Sequence, residues 1–491
     1  MSQVSEATVD SVANTGDALP HADVMRVISG VVLCILLGAL DQTVVIPAVP
    51  AIAGDLGGFG QLSWIIAAYL ICSTVSTPVY GKLSDTYGRR RLLMSCIAIF
   101  MATSALCALA QSIHQLIWFR ALQGLGGGGL MALAQAAIAD VAPPRERGRY
   151  QGYLSAVWAI ASISGPLVGG FVAEQWSWRW IFWINLPLGA LAIWACSRGL
   201  RNIKTHANGH KARIDLVGML LLAGTISTVL LALGWGGREY PWLSFEVVGM
   251  LAVGGVLATL LMAQEKRARD PVLPPPVFAN PTYVSSVLVS TLMAVVLFVC
   301  LFSIPLYAQL LRDASAAESG LYVAPFMLSN VSGNLLGSMY ARRKGTIRGA
   351  LRIATALSCF GLALSALMPA GAPVWMTVGA MVITGPGVGV CLLGTIMSAQ
   401  NAVPSKNIGA GTGALLVLRS VGGASGSTLA GALVASGLAV ASGAMAASHI
   451  SANFELLYGI TAVICAAAFI VTLRMPNTPL RSQISSVSLG E

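Results

Sequence analysis

Two ionisable side chains stand where a membrane would cover them. Asp41 lies in Leu40-Asp41-Gln42-Thr43-Val44-Val45-Ile46-Pro47, and Arg120 lies in an apolar run that also carries Gln123. Charges inside a bilayer are costly, face a bundle interior or a watery path, and mark ion or proton routes. A carboxylate in such a place can take up and release a proton, and when ionised it attracts a cation. The bland alternative for Asp41 is a hydrogen bond that fastens one helix to another. Arginine does not release its proton in a protein. Arg120 therefore needs a counter-charge, a carbonyl cluster or water, and Asp41 is one candidate partner. This chemistry moves protons or ions and makes no covalent bond, so no catalytic residue is assigned.

Other residues suggest a path rather than a reaction. Gly165-Pro166-Leu167-Val168-Gly169-Gly170 falls inside a membrane-length apolar stretch. Proline removes a helix hydrogen bond and clashes with the preceding turn. Glycine lets a neighbouring helix approach closely. A bilayer tolerates such a break only where packed helices or a cavity satisfy the freed groups. The segment reads as a kinked helix that lines or closes a path, or as a packing kink. Asn330 and Asn334 share one helix face at i, i+4 spacing, and either contact a substrate or bridge helices. Gln42 and Gln123 complete the polar candidates along such a path. Arg419 reads either as a buried structural group or as one near enough to an interface to snorkel. Asp140 and Asp215 fall at the ends of apolar runs and read as structural.

Several chemistries lack residues to carry them. Gly124-Leu125-Gly126-Gly127-Gly128-Gly129 satisfies the pattern G-x-G-x-x-G, but a dinucleotide site needs a preceding strand and a βαβ unit. Here the glycines continue the apolar run of Arg120, and helix packing is the better reading. No phosphate-binding P-loop and no H-E-x-x-H zinc motif occurs. The nine cysteines all fall in apolar segments, without metal-ligand spacing or a place suited to a loop disulfide. No metal and no cofactor is expected.

The elements that position these residues must be membrane helices. Of the 491 residues 56% are hydrophobic and 10% charged, and the mean hydropathy is +0.76. Soluble domains carry roughly 25% charged residues. Apolar runs long enough to cross a hydrocarbon core of about 30 Å recur along the chain. Fourteen spans are expected, joined by short loops. Residues 1–23 are polar and lack the cationic start of a cleavable signal peptide, so the first span is expected to direct insertion. Arg179, Arg238 and Arg312 fall on one face and Arg120 and Arg419 inside spans. The rest of the 29 basic residues collect on the other face. By the positive-inside rule that face and both termini are cytoplasmic. The net charge of +10 is thus spent on topology, and no nucleic-acid partner is expected.

The motifs together are similar to those of one known family. Gly81-Lys82-Leu83-Ser84-Asp85-Thr86-Tyr87-Gly88-Arg89-Arg90-Arg91 resembles motif A, the second-to-third-helix loop of the major facilitator superfamily. Arg120, Gln123 and Gly124 resemble its motif B. Gly165, Pro166, Gly169 and Gly170 resemble motif C, found chiefly in proton-driven exporters. The Asp41 segment resembles LDxTVVNVALP of the fourteen-span drug:proton antiporters, with Ile46 and Pro47 in place of the usual Asn-Val. Trp178-Arg179-Trp180-Ile181-Phe182-Trp183-Ile184-Asn185-Leu186-Pro187 resembles a further segment of that family. So do Asp270-Pro271-Val272-Leu273-Pro274 and Gln400-Asn401-Ala402-Val403-Pro404. A second-half echo of motif A, Gly337 to Gly345, keeps Arg342-Arg343-Lys344 but has no acid.

The resemblance implies an all-α membrane protein of the major facilitator fold: two six-helix bundles plus two extra central helices. The implied division is a cytoplasmic tail 1–26, an N-terminal bundle 27–197, a loop and the extra pair 198–264, a linker 265–283, a C-terminal bundle 284–474 and a tail 475–491. It implies a proton-coupled antiporter that exports small lipophilic or amphiphilic compounds and confers antibiotic resistance. The alternatives are a dedicated exporter of an endogenous metabolite or self-made antibiotic, an uptake symporter, and a non-transporting membrane sensor. Asp41 would carry the proton, tuned by Arg120. Gly81, Asp85, Gly88, Arg89 and Arg90 would form a cytoplasmic gate, with Asp85 and Arg89 as its latch. Gly165 and Pro166 would keep the fifth helix tightly packed against leak. The partners would be a small-molecule substrate, protons and the lipid bilayer, in a bacterial inner membrane. In a Gram-negative host a periplasmic adaptor and an outer-membrane channel would join them.

Overall fold

The computed structural model describes residues 21–57, 62–142, 144–200, 215–236, 240–268, 271–273, 275–312, 316–368, 372, 374–404, 407–440 and 446–480. Their regular structure is helical, as it must be where no water is present to satisfy backbone groups. The elements are α1 (His21–Leu56), α2 (Leu62–Tyr87), α3 (Arg89–Ala108), α4 (Ile113–Val141), α5 (Pro144–Gln175), α6 (Trp180–Trp183), α7 (Asn185–Gly199) and α8 (Leu216–Trp235). There follow α9 (Phe245–Arg267), α10 (Pro275–Phe278), α11 (Pro281–Arg312), α12 (Ala316–Lys344), α13 (Arg348–Ala366), α14 (Val374–Ala402), α15 (Ile408–Val440) and α16 (Ala446–Arg474). Among the described residues eleven helices are long and apolar enough to cross a membrane. α5, α12 and α15 are equally long, at 32, 29 and 33 residues.

Polar side chains start helices where the sequence leaves loops. Ser112, Asp215 and Ser244 accept from the backbone nitrogens of Gln115, Gly218 and Val247 at the starts of α4, α8 and α9, satisfying otherwise orphaned donors. Gly88 separates α2 from α3 at φ 91°, and Gly345 follows α12 at φ 68°. Both angles lie in the region that favours glycine.

Apolar cores divide the chain into two bodies. Two core clusters draw only on residues 24–200, from α1 to α7, and the largest draws only on residues 289–480, from α11 to α16. α8 and α9 pair with each other and lie over the seam between the bodies. Leu222, Ile226 and Leu261 of this hairpin join Val75 of α2 and Val417 of α15 in one cluster. Trp235 of α8 meets Trp64 of α2 edge-on at 5.4 Å. On the other side Thr428 of α15 donates to the Leu233 carbonyl, 2.8 Å away.

The glycine run of α4 is what permits its close neighbours. A Cβ on Gly124 or Gly128 would overlap the backbone of α2 at Tyr69 or Ser73, and one on Gly126 would press on Cys96 and Phe100 of α3. The run is therefore a helix-packing surface. The nine cysteines are free and at least partly buried, packed as small core residues.

α5 runs as one helix from Pro144 to Gln175 through the Gly165–Pro166 segment. Elsewhere the chain departs from the expected division in three places. The expected single helix from 180 to 197 is two pieces, because the chain turns between Trp183 and Asn185. The linker after α9 is partly core: Val272 and Val277 are buried. The tail from Met475 to Leu480 docks on the second body. Met475 and Leu480 are buried there, and Leu480 donates to the Gly345 carbonyl.

Candidate functional site

Asp41 and Arg120 meet inside the first body. Asp41 lies ~30 Å along α1, at a rise of about 1.5 Å per residue. Arg120 enters from α4, whose glycine run presses it toward α2. Arg120 NH1 donates to Asp41 Oδ2 at 2.6 Å, and both side chains are almost fully buried. The other carboxylate oxygen accepts twice, from Gln123 Nε2 at 3.0 Å and from Asn185 Nδ2 at 2.8 Å. Three donors on two oxygens is the hydrogen bonding of an ionised carboxylate.

The arginine is satisfied from several directions. NH1 also donates to Gln123 Oε1 at 2.7 Å, and Nε to the Ile65 carbonyl of α2 at 3.3 Å. The guanidinium lies 4.3 Å from the centre of the Tyr69 ring, a favourable cation–π distance. Asn185 is itself anchored by Ser104, which accepts from its amide and donates to the Phe182 carbonyl. One pair thus ties together α1, α2, α3, α4 and the turn between α6 and α7. Ile46 and Pro47 bring no amide to Asp41, but Gln123 and Asn185 supply two. Asn185 was legible only as part of the Trp178–Pro187 motif. Its pairing with Asp41 left no sequence signal.

α5 closes onto the same helix. Thr43, two residues from Asp41, donates to the Ala161 carbonyl of α5 at 2.9 Å. A Cβ on Gly165 would overlap the Thr43 side chain. Gly169 is buried, whereas a Cβ on Gly170 would meet open space, and the Pro166 side chain lies outside the described residues. Gln42 is partly buried beside Asp41.

The motif around Gly81 sits where the two bodies meet. A Cβ on Gly81 would overlap the Gly409 carbonyl at the start of α15, and one on Gly413 would press on Pro78 of α2. At the same end Gly152 of α5 faces Leu335 of α12. This is the end that carries the basic α2–α3 loop, and the bodies are closed together there. Arg89 is buried and donates from Nε to Asp140 Oδ2 at 2.8 Å and from NH1 to Ser84. Asp140, at the end of α4, is thus the described partner of Arg89, not a mere boundary residue. The expected partner Asp85 has its side chain outside the described residues, and Arg90 is exposed.

The remaining candidates belong to the second body. Arg419 does not snorkel. Its guanidinium turns inward, donating to Ser290 Oγ at 2.7 Å and to the Leu392 carbonyl at 2.7 Å. Asn334 is buried, and Asn330 and Asn334 lie where α12 packs on α14: a Cβ on Gly385 or Gly389 would strike the Asn330 backbone. The Asn330 Nδ2 is buried with no partner among the described residues.

At the C-terminal end of α1 a further ion pair forms. Arg179 NH1 donates to Asp55 Oδ2 at 2.5 Å, Trp178 Nε1 donates to the same oxygen at 3.0 Å, and Arg179 NH2 reaches the Ala110 carbonyl. The Arg179 guanidinium and then the Trp178 indole hold the Asp55 carboxyl below its ordinary value of 3.8. This clamp fastens α1 to the α3–α4 and α5–α6 connections.

With this geometry in place, similarity to known proteins can be set beside it. Residues 31–427 match the family model of the Major Facilitator Superfamily. The chain is 33% identical over 412 residues to Multidrug resistance protein 3 of Bacillus subtilis, covering 84% of this chain and 80% of that protein. It is 32% identical over 407 residues to Multidrug transporter protein MdtP of the same organism, covering 83% and 74%. Its fold is similar to that of the human organic anion transporter MFSD10, with a TM-score of 0.62 at 14% identity over 91% of this chain and 99% of that one. The chain belongs to the major facilitator superfamily, and it is a multi-pass membrane protein with that fold.

Proposed function

We propose that this protein is an efflux transporter that exchanges protons for small lipophilic or amphiphilic compounds by alternating access. Its basic end, the closed one, faces the cytoplasm of a bacterial cell. The observation that carries this reading is the buried Asp41–Arg120 pair with both carboxylate oxygens occupied. The names of the two Bacillus relatives, a multidrug transporter and a multidrug resistance protein, support transport of drug-like compounds.

The geometry supplies a mechanism. A protonated carboxyl oxygen becomes a donor and can no longer accept from Arg120. Proton uptake at Asp41 and opening of the ion pair are therefore one event. Arg120 keeps its acceptors at Gln123 and Ile65 while α1 is released from α4. An inward-moving proton gains about 2.3 kcal/mol per 100 mV, which drives a machine that has no nucleotide site in its sequence. Arg120 stabilises the ionised Asp41 in the closed-inside state and yields it when a proton arrives from outside. Substrate then meets a site between the bodies, the usual place in such folds.

The test is proton flux in proteoliposomes with an enclosed pH dye. A substrate pulse is expected to drive protons opposite to substrate in the wild type and to drive none in Asp41→Asn. Proton-coupled transport undiminished in Asp41→Asn would overturn the assignment of Asp41, and protons moving with the substrate would overturn antiport.

A further inference from the structure

The α8–α9 hairpin ends at the basic face in two acids that the Asp41 mechanism does not use. Asp215 caps α8: its Oδ1 accepts from Gly218 N at 2.9 Å and from Gln264 Nε2 at 3.0 Å. Glu265, in the last turn of α9, accepts from Leu273 N at 3.1 Å through Oε2. The second oxygen of each acid, Asp215 Oδ2 and Glu265 Oε1, is buried and has no hydrogen-bond partner among the described residues. Both flank one spot, 2.5 and 3.3 Å from where a Cβ on Gly218 would stand. Glu265 as a whole is only 5% exposed.

Two orphan oxygens that converge in a buried place need a donor. An ionised carboxylate has none to give, whereas a protonated one donates an O–H. Two carboxylates sharing a site resist double ionisation, and one keeps its proton. Among the described residues the charged groups around the pair are few. Lys82 of α2, in the gate loop, acts on Glu265 through space. Lys266 and Arg267 of α9 are exposed. α15, the other helix against α8, has no ionisable residue between Ile408 and Leu418. No third acid or histidine joins the two among the described residues, so a metal lacks a ligand set.

We propose that Asp215 and Glu265 hold one proton between them and form a second protonation site, separate from Asp41, on the cytoplasmic face. With the proton bound, the pair carries a single negative charge beside Lys82. When it leaves, the doubled charge draws Lys82 and the end of α2 toward the hairpin. Gly81, next to Lys82, is the contact on α15. Loss of the cytoplasmic proton therefore tightens the closed gate.

Infrared pH titration of the purified full-length protein in nanodiscs tests this without any transport measurement, so its outcome is independent of the export reading. At neutral pH a protonated-carboxyl C=O band is expected in the wild type and is lost on raising the pH. Glu265→Gln and Asp215→Asn are each expected to remove that band. Lys82→Met is expected to shift its loss to higher pH, because removing a cation disfavours the doubly ionised pair. The shared proton is refuted by an identical band in the wild type and both carboxamide variants, by no band in any of them, or by a titration indifferent to Lys82→Met. If one carboxamide variant fails to fold, the other and Lys82→Met still decide.

Discussion

The Asp41–Arg120 pair predicts an asymmetry between its two partners. Replacing Asp41 by Asn keeps the shape and removes the charge. Arg120, 1% exposed, is then left with neutral partners, among them the Gln123 side chain, the Ile65 carbonyl and the Tyr69 ring. The ring is worth about 0.5–2 kcal/mol and does not replace a counter-ion. Leaving one member of a buried pair uncompensated costs roughly 3–5 kcal/mol. At about 1.4 kcal/mol per tenfold, that is two to three and a half orders of magnitude in the folding equilibrium. Arg120 cannot escape by losing a proton.

Replacing Arg120 by Gln leaves the other partner, and that one can escape. Asp41 keeps its two amide donors, Gln123 and Asn185, and a carboxyl, unlike a guanidinium, has a neutral form open to it. Arg120→Gln is therefore expected to lose less stability than Asp41→Asn. The double variant removes both charges and is expected to recover most of the loss. The assay is equilibrium unfolding in mixed micelles, read as a double-mutant cycle. An Asp41→Asn protein as stable as the wild type would refute the reasoning. So would an Arg120→Gln protein that loses as much stability as Asp41→Asn, or more.

Two further outcomes follow from the ends of the bundle. Gly81→Leu places a side chain against the Gly409 carbonyl, so it is expected to open the α2–α15 contact. A cysteine pair engineered across that contact would then crosslink at least tenfold more slowly, with the helical circular dichroism unchanged; normal crosslinking sinks the idea. Asp55 is held below its ordinary value by Arg179 and then Trp178. Its contribution is complete above the ordinary carboxylate range and is lost as pH falls through the lowered folded value. The thermal midpoint of the wild type should thus fall on acidification below about pH 4 by more than that of Asp55→Asn, and equal falls would refute the clamp.

Much of the fold was legible because membrane helices announce themselves by length and apolarity. The helical class, the packing role of Gly124 to Gly129 and the intramembrane position of Asp41 and Arg120 follow from composition and spacing alone. The sequence could not say which donors would surround Asp41. Asn185 is far from it in the chain and was visible only inside a motif, because a single amide in an apolar run carries no pairing information. The same holds for Arg89 and Asp140, which lie on different helices. Around the proline at 166 a bilayer forbids exposing the freed groups, and the helix continues. Arg419 stayed open between two readings. Hydroxyl and carbonyl oxygens of α11 and α14 can satisfy a guanidinium inside the bundle, and nothing in its own neighbourhood says whether they will.

The site and the contact between the bodies share helices, and under the proposed exchange this bears on how a proton would move two bodies. Arg120 touches α2 through the Ile65 carbonyl and the Tyr69 ring, and α2 carries Gly81 to its contact with α15. Thr43, beside Asp41, grips α5 at Ala161 and Gly165, and α5 carries Gly152 to its contact with α12. α2, which touches Arg120, and α5, which touches the neighbour of Asp41, are thus both helices that close the basic end. Packed helices move as rigid elements with discrete arrangements, so a shift of Arg120 at one end of α2 is a shift of Gly81 at the other. Under that proposal the close approach at Gly165 has a mechanical role: it couples α5 to the helix of Asp41, and α5 carries the motion to Gly152.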